Sequence, residues 1–109
     1  MLRETWPELQ ERWPEAARPE DWEGVTMEDG RVVQLLLRDL DLTGAVPAEI
    51  GQLTSLERLD LRGNQLTSLL AEIGQLTALT RLYLDDNELT SLPPEIGQLR
   101  SLERLYLGI

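Results

Sequence analysis

The chain has 109 residues, and its 24 leucines beside no phenylalanine indicate one domain with a core built from a single residue type. It has no cysteine and no histidine. Disulfide frameworks, thiolate metal sites, cysteine nucleophiles and the usual general base are thereby excluded, and no enzyme is expected. The net charge of −10, with all ten basic residues Arg, argues against nucleic acid and anionic membranes as partners.

Residues 1–30 hold nine of the twenty acids and three of the Arg, a net −6, together with all three Trp. Glu4-Thr5-Trp6-Pro7-Glu8-Leu9-Gln10 is echoed seven residues later by Glu11-Arg12-Trp13-Pro14-Glu15-Ala16-Ala17. Pro14 favours a helix start and Pro19 a stop. The pattern predicts one or two short helices with an apolar side of Trp6, Leu9, Trp13 and Ala16 or Ala17. The whole segment is expected to form an acidic, Trp-bearing helical cap. A turn at Glu28-Asp29-Gly30 then leads into the first strand. No secretory leader is visible, and the longest apolar run, Val32-Val33-Gln34-Leu35-Leu36-Leu37, is interrupted and far too short to span a bilayer. The expected setting is cytoplasmic.

Residues 31–109 are repetitive. Ile50-Gly51-Gln52-Leu53 recurs as Ile73-Gly74-Gln75-Leu76 and Ile96-Gly97-Gln98-Leu99, a step of 23 residues. Leu56, Leu59 and Leu61 recur at the same step, as Asn64 does at Asn87. A first unit matches through Val32, Leu35 and Leu37 at a step of 24. Each Leu-x-Leu segment alternates as a strand does. Leu59 and Leu61 are expected to point inward and Asp60 and Arg62 outward. The stretch Pro93-Pro94-Glu95-Ile96-Gly97-Gln98-Leu99 has room for one helical turn. Asn64 and Asn87 fall at the corner after a strand, where an amide can satisfy bent backbone. Leu40 occupies that place in the first unit, so a ladder of Asn is expected to begin at Asn64. Leu70 replaces the Pro of Pro47 and Pro93, as an exposed convex substitution.

The pattern Leu-x-x-Leu-x-Leu-x-x-Asn-x-Leu-Thr-Ser-Leu-Pro resembles the leucine-rich repeat family. Leu42-Thr43-Gly44-Ala45-Val46-Pro47 is similar to the plant-receptor subtype. Trp22-Glu23-Gly24-Val25-Thr26 followed by Gly30-Arg31-Val32 resembles that subtype's N-terminal cap, with Met27 at a Cys position. The resemblance implies an α/β solenoid, a short right-handed superhelix of about three and a half coils. It would carry a four-strand parallel concave sheet and short helical or 3-10 turns on the convex side. It also implies a non-catalytic protein-interaction module. A receptor ectodomain is disfavoured by the missing leader and Cys.

Aligned by the repeat, outward positions form rows: Val33, Glu57, Thr80, Glu103; Gln34, Arg58, Arg81, Arg104; Leu36, Asp60, Tyr83, Tyr106; Arg38, Arg62, Asp85; and Asp39, Gly63, Asp86. Arg and Tyr are enriched in interface hot spots. The candidate protein-binding residues are therefore Arg58, Asp60, Arg81, Tyr83, Arg104 and Tyr106. The competing reading is that rows repeat because units were duplicated. Asp85-Asp86-Asn87-Glu88 lacks the Gly and distal Glu of a calcium loop, and no metal or cofactor is expected. The sequence closes on Leu105-Tyr106-Leu107-Gly108-Ile109, directly after a predicted strand. Three readings follow: a fragment of a longer array, a homodimer joined through Leu102, Leu105, Leu107 and Ile109, or a monomer frayed at this edge. The alternative function is accordingly a self-assembling or idealised structural array.

Overall fold

The structure, a computed structural model, describes residues 22–108. The helices expected around Trp6, Leu9 and Trp13 lie outside the described residues, as does Ile109.

The turn at Asp29-Gly30 is a two-residue hairpin loop. Both residues have positive φ, 52° and 76°, the type I′ geometry that Asp-Gly favours. It joins β1 (Val25–Glu28) antiparallel to β2 (Arg31–Leu36), with a bulge between Thr26 and Met27. Part of the segment expected to be a helical cap is thus a strand. From β2 the sheet continues in parallel through β4 (Arg58–Asp60), β6 (Arg81–Tyr83) and β7 (Arg104–Tyr106). The four parallel strands expected are present, with β1 as an antiparallel fifth. The register pairs Gln34 with Arg58, Arg58 with Arg81 and Arg81 with Arg104. These are the rows derived from the repeat.

The coils return over the opposite side. Three 3-10 helices, Ala48–Gln52, Ala71–Gln75 and Pro94–Gln98, occupy equivalent places. Between strand and helix lies a second sheet, in which β3 (Thr43–Val46) runs parallel to β5 (Gln65–Leu69). The sequence reading did not anticipate it. These segments lack strict alternation, and only stacking supplies their hydrogen-bond partners. Leu70 is exposed at the start of the second helix, as expected for a convex substitution.

The core is a stack of Leu layers. Leu35, Leu37, Leu42, Val46 and Ile50 form one; Leu56, Leu59, Leu61, Leu66, Leu69 and Ile73 form the next, all buried. In the third, Leu79, Leu82 and Leu84 are buried while Leu89, Leu92 and Ile96 are only partly covered. In the fourth, Leu102 is half-buried and Leu105 and Leu107 are exposed. Burying one such side chain contributes about 1.5–3 kcal/mol, so most of this apolar stabilisation belongs to the first three layers.

Asn64 ties the first two coils together. Its Oδ1 accepts from the backbone N–H groups of Leu40 and Leu42, and its Nδ2 donates to the carbonyls of Leu37 and Leu61. Asn87 repeats this one coil on. It accepts from the Leu66 N–H and donates to the carbonyls of Leu61 and Leu84. Both amides satisfy backbone groups that a bend would otherwise leave unpaired in the interior. The preceding bend takes a left-handed residue in each of the first three coils. Asp39, Gly63 and Asp86 supply it with φ of 55°, 72° and 57°. That outward row therefore shapes the bend.

Candidate concave binding face

Successive strands about 4.8 Å apart bring each row into side-chain contact. At the centre lies Asp60, expected to project outward for a partner. It does lie on the outward row, yet it is only 2% exposed. Arg62 closes over it in a fork: Nε donates to Oδ1 at 3.0 Å and Nη2 to Oδ2 at 2.8 Å. The Arg62 backbone N–H also reaches Oδ1 at 3.2 Å, and Arg38 Nε reaches Oδ2 at 3.2 Å from the neighbouring strand's end. Burial pushes the Asp60 carboxyl pKa up. The hydrogen bonds from Arg62, with the charges of Arg62 and Arg38, outweigh it and hold the group below its usual range. Asp60 is a positioning group for two guanidinium groups, and the sequence expectation of a presented carboxylate is corrected accordingly.

Tyr83 is likewise covered, at 9% exposure. Its ring stacks on Tyr106 with centroids 4.8 Å apart and an interplanar angle of 3°. The Arg62 guanidinium lies 4.6 Å from the Tyr83 centroid and that of Arg58 5.2 Å, within cation–π range. Tyr106, in the last strand, keeps more of its surface open. Its hydroxyl accepts from Arg104 Nη1 at 3.1 Å, and that bond raises the Arg104 pKa. The planar groups therefore form a continuous pile across three strands, from Arg58 and Arg62 through Tyr83 to Tyr106.

All six candidate residues belong to one surface. The Arg81 side chain is exposed and makes no hydrogen bond or ion pair among the described residues, while its backbone N–H donates to the Glu57 carbonyl. Arg58 is held chiefly by the Tyr83 ring, and its Nε has no hydrogen-bond partner. Sequence reasoning assigned Arg38 and Arg62 to a row and did not single them out. Their spacing to Asp60 across a strand end was the available signal. Val33, expected on the outermost row, is buried outside the main core cluster. A shallow hollow between Glu23, Gly24, Leu36, Arg38, Arg58 and Asp60 flanks the pile. Among the described residues no cluster of three or more acids suits a metal ion, and Asn87 of the acidic run is engaged in the coil bend. No helix among them is long and apolar enough to cross a membrane.

The family model for a leucine-rich repeat region matches residues 30–109. A probable leucine-rich repeat receptor-like protein kinase of Arabidopsis thaliana is 38% identical over 66 residues, 58% of this chain and 7% of that protein. The chain spans less than a tenth of the curated relatives it matches. Among solved structures, the ectodomain of the plant membrane receptor kinase GASSHO1/SCHENGEN3 from Arabidopsis thaliana, in complex with Casparian strip integrity factor 2, superposes with a TM-score of 0.78. It is 32% identical, over 87% of this chain and 12% of that one. A leucine-rich repeat protein of Leptospira interrogans is 51% identical with a TM-score of 0.60, over 62% of this chain and 17% of that one.

Proposed function

Because the chain belongs to the leucine-rich repeat family, we propose that it is a non-catalytic protein-interaction module that binds through its concave sheet. The observation that carries this is the arrangement of Arg58, Arg81, Arg104, Tyr83 and Tyr106 in register on a face braced from below by Asp60. Tyr83, Tyr106 and Arg58, fixed by stacking, lose little freedom on binding, which keeps the ordering cost low. The solved plant relative in complex with another factor supports a binding role. Relatives named receptor kinase and ectodomain support an extracellular setting in place of the cytoplasmic one expected.

The test is site-specific photo-crosslinking in an extract of the source cells. A crosslinker placed at Arg81 is expected to capture a protein partner, and one at the convex Leu70 to capture none. Capture from Leu70 alone would move the site to the other side.

A second reading, self-association through β7, is supported by the exposure of Leu105 and Leu107, 37% and 41%. Among the described residues β7 pairs only with β6, and a bare strand edge is a template for another chain. Light scattering across a concentration series distinguishes the readings. A monomer at every concentration rules self-association out.

A further inference from the structure

The outer edge of β7 carries groups that complement themselves. Within the sheet the Arg104 N–H donates to the Thr80 carbonyl, and the Tyr106 carbonyl accepts from the Leu84 N–H. The backbone groups of Arg104 and Tyr106 therefore face β6, and by alternation those of Leu105 and Leu107 face away from it. Among the described residues no strand pairs with that edge. Around Tyr106 the sequence reads alike in both directions, Leu105-Tyr106-Leu107. On the core side the edge opens on a hollow of about 350 Å³ bordered by Leu84, Leu89, Leu92 and Leu107. Two charged groups beside it lack a counterpart. Arg104 gives one N–H to the Tyr106 hydroxyl and makes no ion pair among the described residues. The Asp85 carboxylate makes none either, and its Oδ1 is buried without a hydrogen-bond partner. Continuing the Tyr83–Tyr106 register by two residues sets Asp85 beside Gly108. A Cβ at Gly108 would lie 3.1 Å from Asp85 Oδ2. Glycine thus places no side chain between that carboxylate and the free edge.

We infer that a second copy of this chain docks on β7 about a two-fold axis through Tyr106, and that the partner's Arg104 crosses Gly108 to pair with Asp85. This rests on the self-association reading above and adds its register and its charge contact. The two β7 strands then run antiparallel, as a two-fold axis requires. Leu105 exchanges both backbone hydrogen bonds with the partner's Leu107, and Leu107 with the partner's Leu105, so the outward backbone groups of both residues are paired. The same pairs set Leu against Leu on the core side. Tyr106 falls opposite the partner's Tyr106 at a closely spaced position, about 4.5 Å between Cα atoms. The open ring face of one pile thereby meets that of the other. The partner's Arg104 falls opposite Gly108. Asp85 lies one strand further on, about 4.8 Å, within the span of an arginine side chain. The contact occurs twice by symmetry, and the guanidinium has donors for both Tyr106 and the carboxylate. Moving the axis by one residue, to Leu105, would set Leu107 against the partner's Glu103 and leave Asp85 unpaired.

The experiment is sedimentation velocity across a concentration series on the 109-residue chain, on Arg104→Glu, on Asp85→Arg, and on an equimolar mixture of the two variants. The unaltered chain is expected to form a dimer. Each variant alone should associate at least about tenfold more weakly, because like charges then meet at both contacts, with unchanged circular dichroism. The mixture should recover the strength of the unaltered chain, since each copy offers the other an opposite charge at both contacts. Recovery by mixing is a result that a loss of folding in either variant would not produce. Should Asp85→Arg alter the circular dichroism, Asp85→Asn replaces it, and adding Arg104→Glu in that background is expected to weaken association little further. A dimer indifferent to both charge reversals, a mixture no stronger than its components, or fully additive losses would overturn this register and leave self-association standing. Species that grow beyond the dimer would overturn the two-fold axis. A monomer at every concentration would overturn both this arrangement and the reading it rests on.

Discussion

Asp60 shows how one residue can be misjudged from its row and still decide the face. Its alternation placed it outward beside Tyr83, and the register agrees. Its burial follows from two Arg side chains folding back over it, and side-chain conformation leaves no periodic trace in a sequence. Its carboxyl is held below its usual range, so its ion pairs contribute stability fully above about pH 4. That contribution is lost as the pH falls through the lowered value. Asp60→Asn is expected to cost about 1–2 kcal/mol at neutral pH, because two guanidinium groups lose their acceptor. It should also flatten the decline of stability on acidification. Urea unfolding midpoints at pH 7 and in the acid range measure both effects. An unaltered acid slope would show that another carboxylate carries it.

Among the elements, the 3-10 helices carry the closest stacking and the clearest contrast. A Cβ added at Gly74 would lie 2.6 Å from Gln98 Oε1 and 2.9 Å from the Glu95 carbonyl oxygen of the next helix. At Gly97, one coil further, it would meet nothing within 4 Å. Gly74→Ala is therefore expected to destabilise by about 1–3 kcal/mol. Gly97→Ala should be neutral or slightly stabilising, as Ala restricts the unfolded chain. Thermal unfolding of the pair is the check, and equal losses would mean that Gly serves the helical turn itself. The strands and the Asn corners were legible in the sequence because a two-residue alternation and a repeat step of 23 residues, 24 after the first unit, are local signals. The convex pair β3 and β5 and the hairpin strand β1 were not. Their order comes from backbone partners in another coil, or from across a bulge at Thr26 and Met27.

Across the whole molecule, stability is graded along the stack. Repeat solenoids gain energy mainly from contacts between neighbouring coils. Leu59 lies between two covered layers and is fully buried, whereas Leu105 at the equivalent place in β7 is 37% exposed. Leu59→Ala is expected to cost about 3 kcal/mol, within the range for buried Leu truncations, and Leu105→Ala under about 1 kcal/mol. Denaturant midpoints of the two variants report the difference. Equal costs would mean that the last layer is covered in solution, as self-association through β7 requires. The concave face crosses this gradient, since Arg58 sits on the firm side and Tyr106 on the open one.

The parallel pile of Tyr83 on Tyr106 has an optical consequence. Two phenol rings held 4.8 Å apart and within 3° of parallel couple their transitions, and they are the only tyrosines in the chain. Their ellipticity in the near ultraviolet thus reports whether the final strand is seated on its neighbour. The molecule carries its own gauge of its least supported coil, at the surface where a ligand would land.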